Sequence, residues 1–133
     1  MYDFSGSRIL VVDDLEINQK IICAFLKNTG IELESSSNGQ EAVDMVTASP
    51  AGYYDLILMD VQMPVMDGCT ATEKIRALDR PDAKSLVILA MTASTFKEDI
   101  RQVIAAGMDG HIAKPVEYES ILQVIKKALQ PGP

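Results

Sequence analysis

The stretch Leu56-Ile57-Leu58-Met59-Asp60-Val61-Gln62-Met63-Pro64 decides how this chain is read. Four apolar residues run straight into a carboxylate, and a proline and then Asp67-Gly68 follow. A short, unbroken apolar run bounded by turn signals reads as a strand buried on both faces, as in a parallel sheet. A carboxylate placed directly after such a run stands at the strand's carboxyl end, where open α/β sheets hold their ligands. Read alone, Asp60 could equally do no more than cap a loop.

Three further runs repeat the form. Ile9-Leu10-Val11-Val12 ends in Asp13-Asp14, and Leu86-Val87-Ile88-Leu89-Ala90-Met91 ends in Thr92-Ala93-Ser94. The shorter His111-Ile112-Ala113 leads to Lys114-Pro115. If these strands lie parallel in one sheet, their ends put three carboxylates, a hydroxyl and an ammonium on one rim. Each ending is weak singly; four polar endings after four buried strands make a pattern.

Between the strands the spacing is helical. Ile17, Ile21, Ile22, Phe25 and Leu26 mark one face of a first helix, which Gly30 stops. Ile31 to Ser36 alternates apolar and polar, as an edge strand does. Asn38 with Glu41 makes a capping-box-like start for a second helix, whose Ala42, Val43 and Val46 face inward. A third helix is expected over 68–78 and a fourth over 97–106, ended by Gly107, with Ile104 and Met108 in the core. The last, over 117–129, carries Ile121, Leu122, Ile125 and Leu129 on its buried stripe. Strands alternating with helices predict a doubly wound α/β domain around a five-stranded parallel sheet.

A chain of 133 residues, 47% hydrophobic and 23% charged, fits one globular domain with a single sizeable core. Its net charge of −7 argues against direct nucleic-acid binding, which needs a basic patch. No apolar run approaches the ~18 residues of a membrane span, so no direct membrane contact is expected. The start, Met1 to Ser7, lacks the regions of a signal peptide. Residues 1–7 read as an N-terminal linker or tail, 8–129 as the domain and 130–133 as a C-terminal tail. Two cysteines, Cys23 and Cys69, make no disulfide framework. Reduced thiols in a cytoplasmic protein are the simple reading.

These residues carry a resemblance. Asp13-Asp14, Asp60, Thr92 and Lys114-Pro115 resemble the acidic pair, phosphoacceptor, hydroxyl and Lys-Pro of the response-regulator receiver family of two-component systems. The segment Met59 to Gly68 is similar to that of receivers attached to hybrid histidine kinases, and the resemblance spans residues 8 to 129. It implies a flavodoxin-like (βα)5 fold with strand order 2-1-3-4-5. In that order Cys23 and Cys69 lie on opposite faces of the sheet. The implied function is a phosphoacceptor switch in a phosphorelay. Asp60 takes a phosphoryl group from a phosphohistidine, and the surface of the fourth helix, fifth strand and fifth helix changes in response.

The resemblance also implies site roles. Mg²⁺, with Mn²⁺ able to take its place, would be held by Asp14 and Asp60, by Asp13 through water and by the Gln62 backbone carbonyl. The phosphoryl group would meet Lys114, Thr92 and the Ala93 amide. Thr92 and His111 would form the switch, and Gln62 and Ser94 would tune the phosphoryl lifetime. The elementary chemistry agrees with these roles. A carboxylate can serve as a covalent nucleophile toward phosphorus, and Mg²⁺ takes one or two carboxylates together with phosphate oxygens and waters. Three carboxylates on one rim also repel, which raises at least one pKa.

The implied partners are a histidine kinase or histidine phosphotransfer domain, with an output partner or a second copy on the face of the fourth helix, fifth strand and fifth helix. The only histidine, His111, has no phosphoacceptor-helix context, so the phosphoryl group arrives in trans and the chain is no stand-alone enzyme. It catalyses only its own phosphorylation and dephosphorylation. With no effector domain after residue 129, it reads as a stand-alone receiver or a piece of a hybrid kinase, the cytoplasmic part of a membrane-bound sensor included. Two other readings are a pseudo-receiver that only binds proteins, and an aspartate-nucleophile phosphatase. The first requires the loss of Asp14, Asp60, Thr92 or Lys114, and all are present. The second needs a proton-transferring carboxylate at Gln62.

Overall fold

In the computed structural model, which describes residues 2–94 and 96–129, the strands of the sheet are all parallel and ordered β2-β1-β3-β4-β5. The strands are β1 (Arg8–Val12), β2 (Glu32–Ser36), β3 (Leu56–Asp60), β4 (Val87–Thr92) and β5 (Gly110–Ala113). Between and after them come α1 (Glu16–Leu26), α2 (Gly39–Ala48), α3 (Gly68–Arg76), α4 (Lys97–Ala105) and α5 (Tyr118–Leu129). The tail expected at 130–133 lies outside the described residues.

Alternation along the central strands explains why their sequences are apolar without a break. Leu10, Val12, Ile57, Met59, Ile88 and Ala90 point into one buried cluster, with Ala42, Val43 and Val46 of α2, Ala71 and Ile75 of α3 and Val103 of α4. The residues between them, Ile9, Val11, Leu56, Leu58, Leu89 and Met91, enter a second cluster with Ile22 and Leu26 of α1 and Ile121, Leu122 and Ile125 of α5. Helices thus cover both faces, and a strand covered on both faces has no polar side to show. Cys69 packs against the first cluster while Cys23 sits on α1, and both thiols are free.

Local chemistry sets the helix starts. The Asn38 side chain accepts from the Glu41 N–H at 2.8 Å, while the Glu41 carboxylate reaches back to the Ser37 N–H, one residue earlier than in a capping box. Asp67 caps α3 by accepting from the Thr70 N–H at 2.8 Å.

One packing expectation fails, at Ile104, and the apolar face of α1 is only partly buried. Ile17 and Ile21 are 61% and 41% exposed, because α1 turns its Ile22–Leu26 row onto the sheet and leaves the neighbouring row beside the carboxyl ends of the strands. Ile104 is 49% exposed: α4 buries Val103, and Met108 packs just beyond the helix. The residues ahead of β1 pack on the body. Phe4 is 6% exposed within the second cluster, its N–H donates to the Thr29 carbonyl at 2.7 Å, and the Ser7 carbonyl accepts from Glu32. Gly30, at φ +80°, leaves the space that Ser5 fills; a Cβ there would stand 2.3 Å from the Ser5 hydroxyl. Among the described residues, no helix is long and apolar enough to cross a membrane.

Candidate functional site

The carboxyl ends of β1, β3 and β4 converge on a cleft of about 370 Å³ whose walls include Asp14, Asp60, Gln62, Thr92, Ser94 and Lys114. Asp60 ends β3 opposite Met91 and is buried. The Asp13 N–H extends the sheet ladder by donating to the Ser36 carbonyl at 3.1 Å, which fixes a fully buried carboxylate beside it; Asp14, next along, is exposed. Carboxylate oxygens of Asp13, Asp14 and Asp60 all lie within 4.8 Å of one another.

The chain after Asp60 folds tightly. The Gly68 N–H donates to the Val61 carbonyl at 2.9 Å, and a Cβ on Gly68 would stand 2.2 Å from the Asp60 carbonyl oxygen. Only glycine allows α3 to begin so near the carboxylate. Between them, Val65 has φ +70° with its neighbours closed by a Met66 N–H to Pro64 carbonyl bond, a γ-turn of the strained, positive-φ kind. The Met66 carbonyl in turn accepts from Gly39 of α2, which anchors this lip.

Lys114 follows β5 and its N–H donates to the Thr92 carbonyl at 2.8 Å, and the Lys114-Pro115 peptide is cis. Its Nζ lies 2.8 Å from Asp60 Oδ1 and 3.6 Å from Asp13 Oδ2. Asp13 also accepts from the Leu15 N–H at 2.9 Å and from Asn18 Nδ2 at 3.2 Å, while Gln19 Nε2 bridges the carbonyls of Asp13 and Ser36. Burial pushes the Asp60 pKa above the usual carboxylate range, and the Lys114 hydrogen bond and charge oppose it. The Asp13 charge adds to the rise, and a bond from the Gln62 backbone N–H subtracts from it. The expected rise is therefore present, but its first cause is desolvation and not crowding of like charges.

Thr92 closes β4 with its hydroxyl turned into its own loop. Oγ1 donates to the Ser94 carbonyl and accepts from the Ser94 N–H, both at 3.1 Å. The Ser94 hydroxyl donates to the Asp99 carboxylate in the first turn of α4. Of the residues singled out in the sequence, Asp13, Asp14, Asp60, Gln62, Thr92, Ala93, Ser94 and Lys114 gather around this cleft and the groove adjoining it. His111 does not join them. It is exposed and pairs with Ala90, whereas Thr92 pairs with Ala113. Gln19 and Asp99 carried no mark in the sequence beyond being polar residues near helix starts.

The donor set fits a magnesium ion. It consists of hard oxygen atoms, with buried Asp13 and Asp60 on one side and exposed Asp14 open to water on the other.

Residues 9–126 match the model of the response regulator receiver domain. The chain is 39% identical over 121 residues to hybrid signal transduction histidine kinase L of Dictyostelium discoideum, covering 90% of this chain and 7% of that protein. It therefore spans only a small part of the length of that curated relative. The receiver domain of a sensor histidine kinase from Pseudomonas aeruginosa PAO1, solved with magnesium coordinated in its active-site cleft, superposes with a TM-score of 0.83 at 32% identity, covering 94% of this chain and 98% of that one. A Saccharomyces cerevisiae response-regulator receiver, co-crystallised with its histidine phosphotransfer signalling protein, gives 0.84 at 32% identity over 93% and 89%. The chain belongs to the response regulator receiver domain family, the phosphorylatable modules of two-component phosphorelays.

Proposed function

We propose that Asp60 is the phosphoacceptor. The observation that carries this is its placement: a buried carboxylate closing the central strand, with Lys114 Nζ at 2.8 Å and two further carboxylates within 4.8 Å. An Asp60 oxygen attacks the phosphorus of a phosphohistidine, the P–N bond breaks and the imidazole leaves with the electron pair, giving a mixed anhydride. Lys114 moves from Asp60 Oδ1 to a phosphoryl oxygen as a compact point charge. Thr92 and the Ala93 N–H donate to the others. Asp14, Asp60 and the Gln62 carbonyl, with Asp13 through water, would hold a magnesium ion, which would supply charge neutralisation between the two anions. In the return step water attacks phosphorus and the P–O bond to Asp60 breaks, along a path flanked by Gln62 and Ser94. His111 faces outward here and turns inward as Thr92 leaves its loop, which alters the α4-β5-α5 face.

The phosphoryl donor is a histidine kinase or histidine phosphotransfer domain of the cytoplasm. Exposed Leu15, Ile17 and Ile21, on the α1 side of the cleft, are the apolar ground such a protein meets on its way to Asp60. Incubation with acetyl phosphate and Mg²⁺ followed by intact-mass measurement adds one phosphoryl group to the wild-type chain and none to Asp60→Asn. Undiminished labelling of that variant overturns the assignment.

A further inference from the structure

We propose that Asp99 is a positioning residue for the aspartyl-phosphate chemistry, acting through Ser94 to hold the Thr92 hydroxyl on the Ser94 backbone. The inference rests on Asp60 being the phosphoacceptor.

A threonine hydroxyl has one proton to donate. In this structure the proton is committed to the Ser94 carbonyl, and the same oxygen accepts from the Ser94 N–H. Thr92 can reach a phosphoryl oxygen only if that proton leaves Ser94, so the position of Ser94 gates the hydroxyl. Ser94 is itself tied down, because its Oγ donates to the Asp99 carboxylate.

Asp99 is a firm anchor. It lies in the first turn of α4, where a negative side chain is favoured by the exposed N–H groups and the helix dipole. Among the described residues, the N-cap Phe96 makes no side-chain cap hydrogen bond, and the first turn carries the acidic Glu98 and Asp99. Asp99 and Ser94 are both half-buried, which shields their bond from water. The path from Thr92 through Ser94 to Asp99 and α4 is thus continuous. Moving the hydroxyl toward the phosphoryl group gives up its two bonds to the Ser94 backbone, and the Ser94–Asp99 bond opposes that move by holding Ser94 where it makes them.

A hydrogen bond to a charged group contributes enough to stabilise the resting loop by about tenfold. When the competent arrangement is a minor population, the apparent affinity for a ligand that selects it falls by that fraction. Beryllium fluoride, a phosphoryl mimic, is such a ligand. Its dissociation constant is to be measured with Mg²⁺ present, by following the Ser94 and Lys114 amide resonances, for wild type, Asp99→Ala, Asp99→Asn, Ser94→Ala and the Ser94→Ala/Asp99→Ala pair. Asp99→Ala is expected to bind the mimic about threefold to tenfold more tightly, and Asp99→Asn, which keeps an acceptor, to fall between it and wild type. The double variant is expected to match the single ones, because all break one tether. A residue that merely props the fold would lower the melting temperature without tightening binding. Unchanged or weaker binding in Asp99→Ala, or single effects that add in the pair, overturns the proposal. A wild-type chain that fails to bind the mimic overturns the phosphoacceptor reading itself.

Discussion

Replacing Lys114 by Met removes the ammonium that faces two buried carboxylates, 2.8 Å from Asp60 and 3.6 Å from Asp13. Three acidic groups then share the rim with no ion-pair partner among the described residues. Deleting one partner of a buried ion pair costs about 3–5 kcal/mol. Lys114 keeps 24% of its side-chain surface, so water already screens part of the pair and the lower figure, about 3 kcal/mol, applies. With an unfolding entropy near 2.1 cal/mol/K per residue over 133 residues, this lowers the melting temperature by about 10 °C. The measurement is thermal unfolding followed by circular dichroism at pH 7 with EDTA, so that no cation replaces the ammonium. The same substitution made on Asp60→Asn has one buried charge fewer to strand and is expected to cost about 1 kcal/mol, a coupling of about 2 kcal/mol between the positions. Lys114→Met within 0.5 kcal/mol of wild type, or equally costly in both backgrounds, would refute the charge balance drawn here.

Magnesium at 100 times its dissociation constant is expected to add about 2.7 kcal/mol to wild-type stability and far less to Asp14→Ala; equal shifts in a melting assay would misplace the metal. Hydrogen bonds from the Tyr53 and Tyr54 hydroxyls hold the Glu34 carboxyl below the ordinary range. The stability this carboxylate contributes is complete above the ordinary glutamate range and is lost as pH falls through its lowered folded value. Glu34→Gln therefore flattens the stability curve only below the ordinary glutamate range, and parallel curves there would contradict it. Phe4→Ala empties a buried site and is expected to cost about 3 kcal/mol in urea unfolding; a loss below 1 kcal/mol would mean that the segment only rests on the surface.

The parts legible in the sequence were those set by local rules. A strand covered on both faces has to be apolar throughout, so Leu56 to Met59 and Ile9 to Val12 announce both their class and their burial. Their polar endings then fall on one rim once the sheet is parallel. Helical periodicity says that a face is apolar but not which of two adjacent rows meets the sheet, so Ile17 and Ile21 fall on the apolar face of α1 and Ile104 of α4 reads as core, and all three are exposed. Partnerships across long separations left no mark at all. Arg76 donates to the carbonyls of Gly107, Ala83 and Leu86 and pairs with Asp109, and nothing in its neighbourhood sets it apart from a surface arginine at a helix end. The side on which His111 stands depends on a strand register that the chain order alone does not give.

The segment holding Phe4 moves the edge of the folding unit. The recognised family pattern starts at residue 9, yet the second buried cluster already includes Phe4, and Thr29 and Glu32 take their backbone partners from residues 4 and 7. A receiver grafted into another protein with its cut at Arg8 would carry an open hole between α1 and α5 and two orphaned backbone groups. The same graft cut ahead of Tyr2 would keep the hole filled, with the Tyr2 ring tilted at 48° to that of Phe4 and Lys126 over it. Modules of this kind can be exchanged between proteins only along seams where few bonds cross, and here the seam lies upstream of the pattern by which the module is recognised.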